Sequence, residues 1–250
     1  MASLSGKTVL IIGASRGIGL ELARQASAAG ATVFGTVRSS IPAELSSLAK
    51  TTPISGVDVV KPESLKTLIE ELKKNASHLD YVIFNAGVLA PEMTLDDVTM
   101  EGLLNDFTVN AAAPTIAIRE LHKAGLLGGA GGASVVAIAS SVLASIGLVG
   151  APSKFYGGWG AYPYRGSKAA GNMFARLLNR DLGPDGVKVL SYHPGYVQTD
   201  MTEGTKAHLE PPQAADNIWS LLTAEDLEGG KLYQTSTHPE DYNGGKVIPW

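Results

Sequence analysis

No cysteine occurs anywhere in the chain. Disulfides, thiolate nucleophiles and cysteine-ligated zinc are therefore excluded, and nothing points to secretion. Charge is sparse as well: charged residues make up 18% of the 250 positions, the formal net charge is −4, and lysine and arginine form no run. A nucleic-acid or anionic-membrane partner, held by long-range attraction, is not expected. Long hydrophobic runs are also missing. The first apolar stretch, Val9 to Ile12, is far too short to span a bilayer, and the residues before Thr8 leave no room for a signal peptide. A cytoplasmic protein is expected. The five histidines, His78, His122, His193, His208 and His238, fall at no metal-ligand spacing, so no metal site is expected.

What is present is a hydrophobic fraction of 44%, enough for a sizeable core in one large α/β domain. Apolar segments of strand length alternate with longer helical patterns. Strands are expected at Thr8–Ile12, Ala31–Val37, Ile54–Val57, Tyr81–Phe84, Ser134–Ala139 and Val187–Tyr192, with a short one at Lys231–Thr235. Helices are expected from Gly17 to Ala29, from Pro62 through Leu65, Leu68, Ile69 and Leu72, from about Leu103 to Ala124, and from Tyr164 to Leu182. Continuous apolar strands separated by helices imply a mostly parallel, doubly wound sheet of about seven strands with helices on both faces. No internal repeat or composition break divides residues 1–250, so a single Rossmann-type domain is expected. The glycine-rich Gly128–Gly132 segment precedes a strand, and reads as a flexible turn rather than a phosphate loop.

A different glycine cluster sits where a phosphate loop belongs. Gly13-Ala-Ser-Arg-Gly17-Ile-Gly19 joins the first strand to the first helix. There, glycines permit a tight turn and close approach of a pyrophosphate, and the helix N-terminus offers free N–H groups. The end of the second strand should select the dinucleotide. It reads Thr36-Val37-Arg38-Ser39, and no acid follows until Glu44. Arg38, together with Arg16, can pair with a 2′-phosphate, so NADP(H) is favoured over NAD(H); two solvated surface arginines are the alternative.

Tyr164 and Lys168 lie four positions apart within a plausible helix, hence on one face. Tyr242 and Lys246 have the same spacing, but two intervening glycines argue against a helix there.

These pieces together resemble the short-chain dehydrogenase/reductase family. The resemblance is carried in family order by Gly13-Ala-Ser-Arg-Gly-Ile-Gly, Asn85-Ala-Gly, Asn110, Ser140-Ser141, Tyr164-Arg-Gly-Ser-Lys168 and Pro194-Gly-Tyr-Val-Gln-Thr-Asp200, and covers nearly the whole chain. The resemblance implies that Tyr164 is the general acid toward a substrate carbonyl. Lys168 would lower its pKa and hold the nicotinamide ribose, and Asn110 would hold a water in the proton relay. One of Ser140 and Ser141 would bind the carbonyl oxygen; the family register favours Ser141. The cofactor contacts implied are Gly13, Ser15, Arg16, Gly17, Ile18, Gly19, Arg38, Asp58, Val59, Asn85, Ala86, Gly87, Asn110, Tyr164, Lys168, Pro194, Gly195, Val197 and Thr199.

Ala161 to Ala170 and the terminal Gly245-Lys-Val-Ile-Pro-Trp look like the subgroup of sniffer-type and C-factor-like carbonyl reductases. That subgroup implies reduction of a ketone, aldehyde or quinone, and the family implies a homodimer or homotetramer. Phe155, Tyr156, Trp159 and Tyr162 either line a pocket for an apolar or aromatic carbonyl compound or pin their loop to the protein. The stretch from Met201 to Pro212 matches the place of the family's mobile lid. An epimerase or dehydratase, or a non-catalytic NADP(H)-sensing regulator, would share the fold. The first usually carries a larger C-terminal substrate region, and the second has no need of serine, tyrosine and lysine together.

Overall fold

A computed structural model describes residues 4–151, 160–203, 205, 207–236, 238, 242 and 245–250. From the N-terminus the chain runs β1 (Thr8–Ile12), α1 (Gly17–Ala28), β2 (Thr32–Thr36), α2 (Ala43–Ser46), β3 (Thr51–Ile54), α3 (Pro62–Asn75), β4 (Tyr81–Phe84) and α4 (Met100–Phe107). A π-helical turn (Thr108–Ala112) carries α4 into α5 (Ala113–Lys123), followed by β5 (Ser134–Ala139), α6 (Tyr162–Leu182) and β6 (Val187–His193). The chain ends in α7 (Pro211–Leu222), β7 (Leu232–Gln234) and β8 (Val247–Ile248).

The strands form one sheet in the order β3-β2-β1-β4-β5-β6-β7-β8. Every neighbouring pair is parallel except β7 and β8. The order reverses between β1 and β4, where the connections after the two strands diverge and leave a crevice at their C-terminal ends. Side chains alternate across the strands, so each face of the sheet has its own core. On one, Val9 and Ile11 pack with Leu22 of α1 and Trp219 of α7. The Trp219 indole N–H donates to the Leu22 carbonyl at 3.3 Å, which satisfies the polar atom of the largest buried side chain. On the other, Leu10 and Ile12 pack with Leu68 of α3 and Ile118 of α5. Among the described residues, no helix is long and apolar enough to cross a membrane.

Several elements differ from expectation: α2 and the twelve-residue α7 have no counterpart among the expected helices, and α6 begins two residues before Tyr164. β3 begins at Thr51 rather than Ile54, because Val33 of β2 pairs with Thr51 and Gly35 with Pro53. Pro53 lacks a donor, which an edge strand tolerates; beyond it, Val57 N–H still donates to the Val37 carbonyl. The helix expected from Leu103 starts earlier, at Met100, because the Thr99 hydroxyl caps it by accepting from Gly102 N–H at 3.0 Å. The eighth strand was not anticipated: two residues too few to carry a period of their own add antiparallel to β7.

Candidate active site

The glycine loop packs tightly against neighbouring backbone. Gly13 has φ +89° and a Cβ there would lie 2.9 Å from Ala86 N, while a Cβ on Gly19 would lie 2.0 Å from the Gly13 carbonyl oxygen. Asn85 locks the same place by donating from Nδ2 to the Gly13 carbonyl at 3.0 Å. The segments after β1 and β4 are thereby fastened together at the crevice. α1 has no acidic residue in its first turn, and the Arg16 side chain does not cap it. Its first N–H groups therefore suit an anion, and the glycine loop fits a dinucleotide pyrophosphate.

Arg38 is exposed beyond β2 and makes no salt bridge among the described residues. Arg16 lies against the loop after β6. Its Nε lies 3.0 Å from the Asp200 carboxylate, both side chains being largely exposed, so the loop after β1 is bridged to the loop after β6. Such an exposed pair is worth at most about 1 kcal/mol and is readily exchanged for another anion. Asp58 and Val59 follow β3 at the same edge of the sheet; Asp58 faces Lys61 at 3.8 Å, and Val59 packs on the core.

A cavity of about 150 Å³ opens over the C-terminal ends of β5 and β6. Ser140, Ser141, Tyr164 and His193 line it together with apolar side chains, among them Leu89, Val142, Leu143 and Met201. Tyr164 is half-buried, and its hydroxyl shares a hydrogen bond with the Ser141 hydroxyl. Ser141 also caps the short 3-10 turn that follows it, accepting from Leu143 N–H at 3.1 Å. Ser140 instead donates to Asn172 Oδ1 at 2.7 Å. Of the two serines, Ser141 is the one whose hydroxyl meets the tyrosine.

Tyr164 and Lys168 share one face of α6, with Nζ 5.6 Å from the tyrosine ring centre. Nζ donates to the Ala139 carbonyl at 2.7 Å. Burial pushes the lysine down to about 8, against a raising influence from Asp106. The phenol is pushed up to about 12, chiefly by burial, with the Ser141 hydrogen bond pulling it down and the Asp106 charge raising it. Removing the hydroxyl from water outweighs the Ser141 bond, so the net direction for Tyr164 in the chain alone is upward.

Asn110 lies in the π-helical turn and is buried. Its Nδ2 donates to the Val88 carbonyl and the Ser167 hydroxyl, and its Oδ1 accepts from Val88 N–H at 3.0 Å. A Cβ on Gly87 would lie 3.1 Å from Asn110 Oδ1 and 3.3 Å from Lys168 Nζ. Gly87, Asn110 and Lys168 therefore converge. Pro194, Gly195, Val197 and Thr199 follow β6 along the cavity wall, where Ile18 meets them. Thr199 caps the turn at Asp200–Thr202, and Val197 bridges to Leu209, which ties down the base of the expected lid.

Phe155, Tyr156 and Trp159 lie outside the described residues; Tyr162 is 45% exposed and does not line the cavity. Tyr242, set aside with Lys246 because it lies on no helix, does line it. Leu89, Leu143 and Tyr196 also line the cavity without any local pattern to announce them. Among the described residues, no group of three metal-ligating side chains exists.

A model of the short chain dehydrogenase family matches residues 7–210. The chain belongs to that family. One relative of this dehydrogenase, the 1-hydroxy-2-glutathionyl-2-methyl-3-butene dehydrogenase of Rhodococcus sp. (strain AD45), is 35% identical over 220 residues, covering 84% of this chain and 88% of its own. The C-signal protein of Myxococcus xanthus is 33% identical over 173 residues, covering 69% and 93%. The NADPH-bound carbonyl reductase from chicken fatty liver superposes with a TM-score of 0.77 at 25% identity, covering 99% of this chain and all of its own. The chain is therefore an oxidoreductase of a family that binds a nicotinamide cofactor and acts on small molecules.

Proposed function

We propose that this dehydrogenase is an NADPH-dependent carbonyl reductase that takes a ketone, aldehyde or quinone to the alcohol. The observation that carries the reading is the pair of hydrogen-bonded hydroxyls, Tyr164 and Ser141, facing an apolar cavity beside the glycine loop. When bound, the nicotinamide supplies the hydride. Tyr164 donates a proton to the substrate oxygen, Ser141 orients that oxygen, and Lys168 holds the ribose and adds positive charge beside the phenol. Asn110 fastens the segment after β4 to α6 and so keeps Lys168 in place. Apolar walls at Leu89, Val142 and Leu143 suit an apolar carbonyl compound.

Phosphorylated cofactor is favoured because Arg38 stands exposed just beyond β2 with no acid following it in the chain until Glu44, and because a structural neighbour is named for bound NADPH. Consumption of NADPH absorbance should be followed with quinones, diketones, aromatic aldehydes and, on the reverse side, a glutathione-conjugated alcohol like that named in the Rhodococcus relative. Turnover with at least one carbonyl is expected. Arg38→Ala should weaken NADPH about 10- to 100-fold while leaving NADH nearly unchanged. Tighter binding of NADH by the unaltered chain rejects the cofactor assignment. Tight NADPH binding without turnover of any carbonyl favours a regulator.

A homodimer or homotetramer is proposed as well. Met100, Leu104 and Phe107 of α4 and Met173 of α6 are exposed on two helices that pack together, with Phe107 edge-on to Phe174 at 6.2 Å. An apolar patch of this kind marks an interface. Light scattering should give a dimer or tetramer at micromolar concentration, and Leu104→Glu with Met173→Glu should give a monomer that still binds NADPH. A monomeric unaltered chain overturns this assignment.

A further inference from the structure

Among the described residues, Asp106 and Lys168 are the buried side chains of opposite formal charge, at 0% and 5% exposure, and no other aspartate, glutamate, lysine or arginine is buried. Burying a charge is costly unless a counter-charge or hydrogen bonds offset it. Asp106 comes from α4 and Lys168 from α6, two helices packed against each other. The two groups form no direct salt bridge; each is held by its own hydrogen bonds. Asp106 Oδ2 accepts from Ala90 N–H at 3.2 Å and Oδ1 accepts from Asn105 Nδ2 at 3.3 Å, while Lys168 Nζ donates to the Ala139 carbonyl. Burial pushes the Asp106 carboxyl up, against its hydrogen bonds and a smaller lowering by Lys168, while Asp106 raises the lysine against its own burial.

We propose that Asp106 is a positioning residue of the reaction, whose buried carboxylate supplies the counter-charge for the Lys168 ammonium and whose bond to Ala90 anchors the segment after β4 beside the cavity. The inference rests on the reading of Tyr164 and Lys168 given above. The groups that face this pair are Glu92, from the segment after β4, which pushes Asp106 up, and Tyr164, whose phenol Asp106 also raises. Glu92 is itself engaged, accepting from the Thr99 hydroxyl at 2.6 Å. Removing the Asp106 charge therefore takes away the influence that opposes the burial of Lys168. The ammonium then gives up its proton at lower pH.

The test is a ¹³C NMR titration of lysine Cε in the full-length chain, with the Lys168 signal assigned by its loss in Lys168→Met. Asp106→Asn keeps an acceptor for Ala90 N–H and removes the charge, together with the longer bond from the exposed Asn105 amide. Its Lys168 midpoint should fall by about one unit or more, and the alkaline limb of kcat/KM with NADPH should move the same way. Asp106→Glu should restore both, and Glu92→Gln should move the midpoint by less than about half a unit. A midpoint in Asp106→Asn within about 0.2 unit of the unaltered chain overturns the proposal. Should Asp106→Asn fail to fold, the Asp106 carboxyl ¹³C signal of the unaltered chain decides: coupled groups show a second inflection at the lysine midpoint, and its absence overturns the proposal. A shifted lysine midpoint in an enzyme whose Tyr164→Phe variant remains fully active leaves the inference standing and removes the catalytic reading.

Discussion

Tyr164→Phe should lower kcat by about 10³-fold or more and leave NADPH affinity within about twofold. The substitution removes one oxygen from a half-buried side chain that contributes no charge to the crevice, so little else changes. The lost oxygen is the one that meets Ser141 at the cavity wall. The direction of the phenol shift adds a pH signature. With its proton held to about 12 in the chain alone, Tyr164 is a proton donor across the neutral range. Carbonyl reduction, which needs the acid, should vary little between about pH 6 and about pH 8. Alcohol oxidation needs the phenolate and should rise with pH over the same interval. Stopped-flow reduction and oxidation at saturating cofactor measure both. Turnover in Tyr164→Phe comparable with that of the unaltered chain would remove Tyr164 from the role.

Gly19→Ala should cost about 2–4 kcal/mol of stability and lower Tm by roughly 5–10 °C. The methyl would enter at 2.0 Å from the Gly13 carbonyl oxygen and 2.7 Å from Asn85 Nδ2. The first of these is backbone and cannot rotate away. Relief requires α1 to lift off the glycine turn, which separates the helix N-terminus from the place where a pyrophosphate would lie, so NADPH affinity should collapse together with stability. Gly166→Ala is the contrast within the same fold. A Cβ there meets nothing within 4 Å, on a regular helix. It should stabilise the chain by about 0.5–1 kcal/mol. Urea unfolding of the two variants separates a glycine needed for packing from one that is merely tolerated. Equal stabilities would refute the packing argument.

Both glycines stand in motifs that were readable in the chain, yet nothing local told them apart. Gly19 is constrained by a carbonyl six residues earlier and by Asn85, which comes from a different strand. Ser140 and Ser141 were likewise adjacent candidates. They separate only because Asn172 of α6 engages one and Tyr164 the other. Nothing near Arg16 in the chain announces its partner Asp200, which follows β6. Asp106 carried no pattern at all: an aspartate in a helix is usually solvated, and here the packing of α4 on α6 buries it. Tyr242 was discounted for lacking a helix, and reaches the cavity from the far end of the chain without one.

The amino-acid order alone determined the alternating strands and helices, the glycine turn between β1 and α1, and the shared face of Tyr164 and Lys168. Each of these depends on residues within one or two turns of each other, so backbone geometry converts spacing directly into position. Tertiary structure alone decided the edge register of β3, the addition of β8, which serine hydroxyl meets Tyr164, and the direction in which burial shifts the tyrosine and lysine. Those depend on which distant groups arrive beside a side chain and on how much water they displace. Desolvation and through-space charge are properties of the assembled fold, and no run of letters records them.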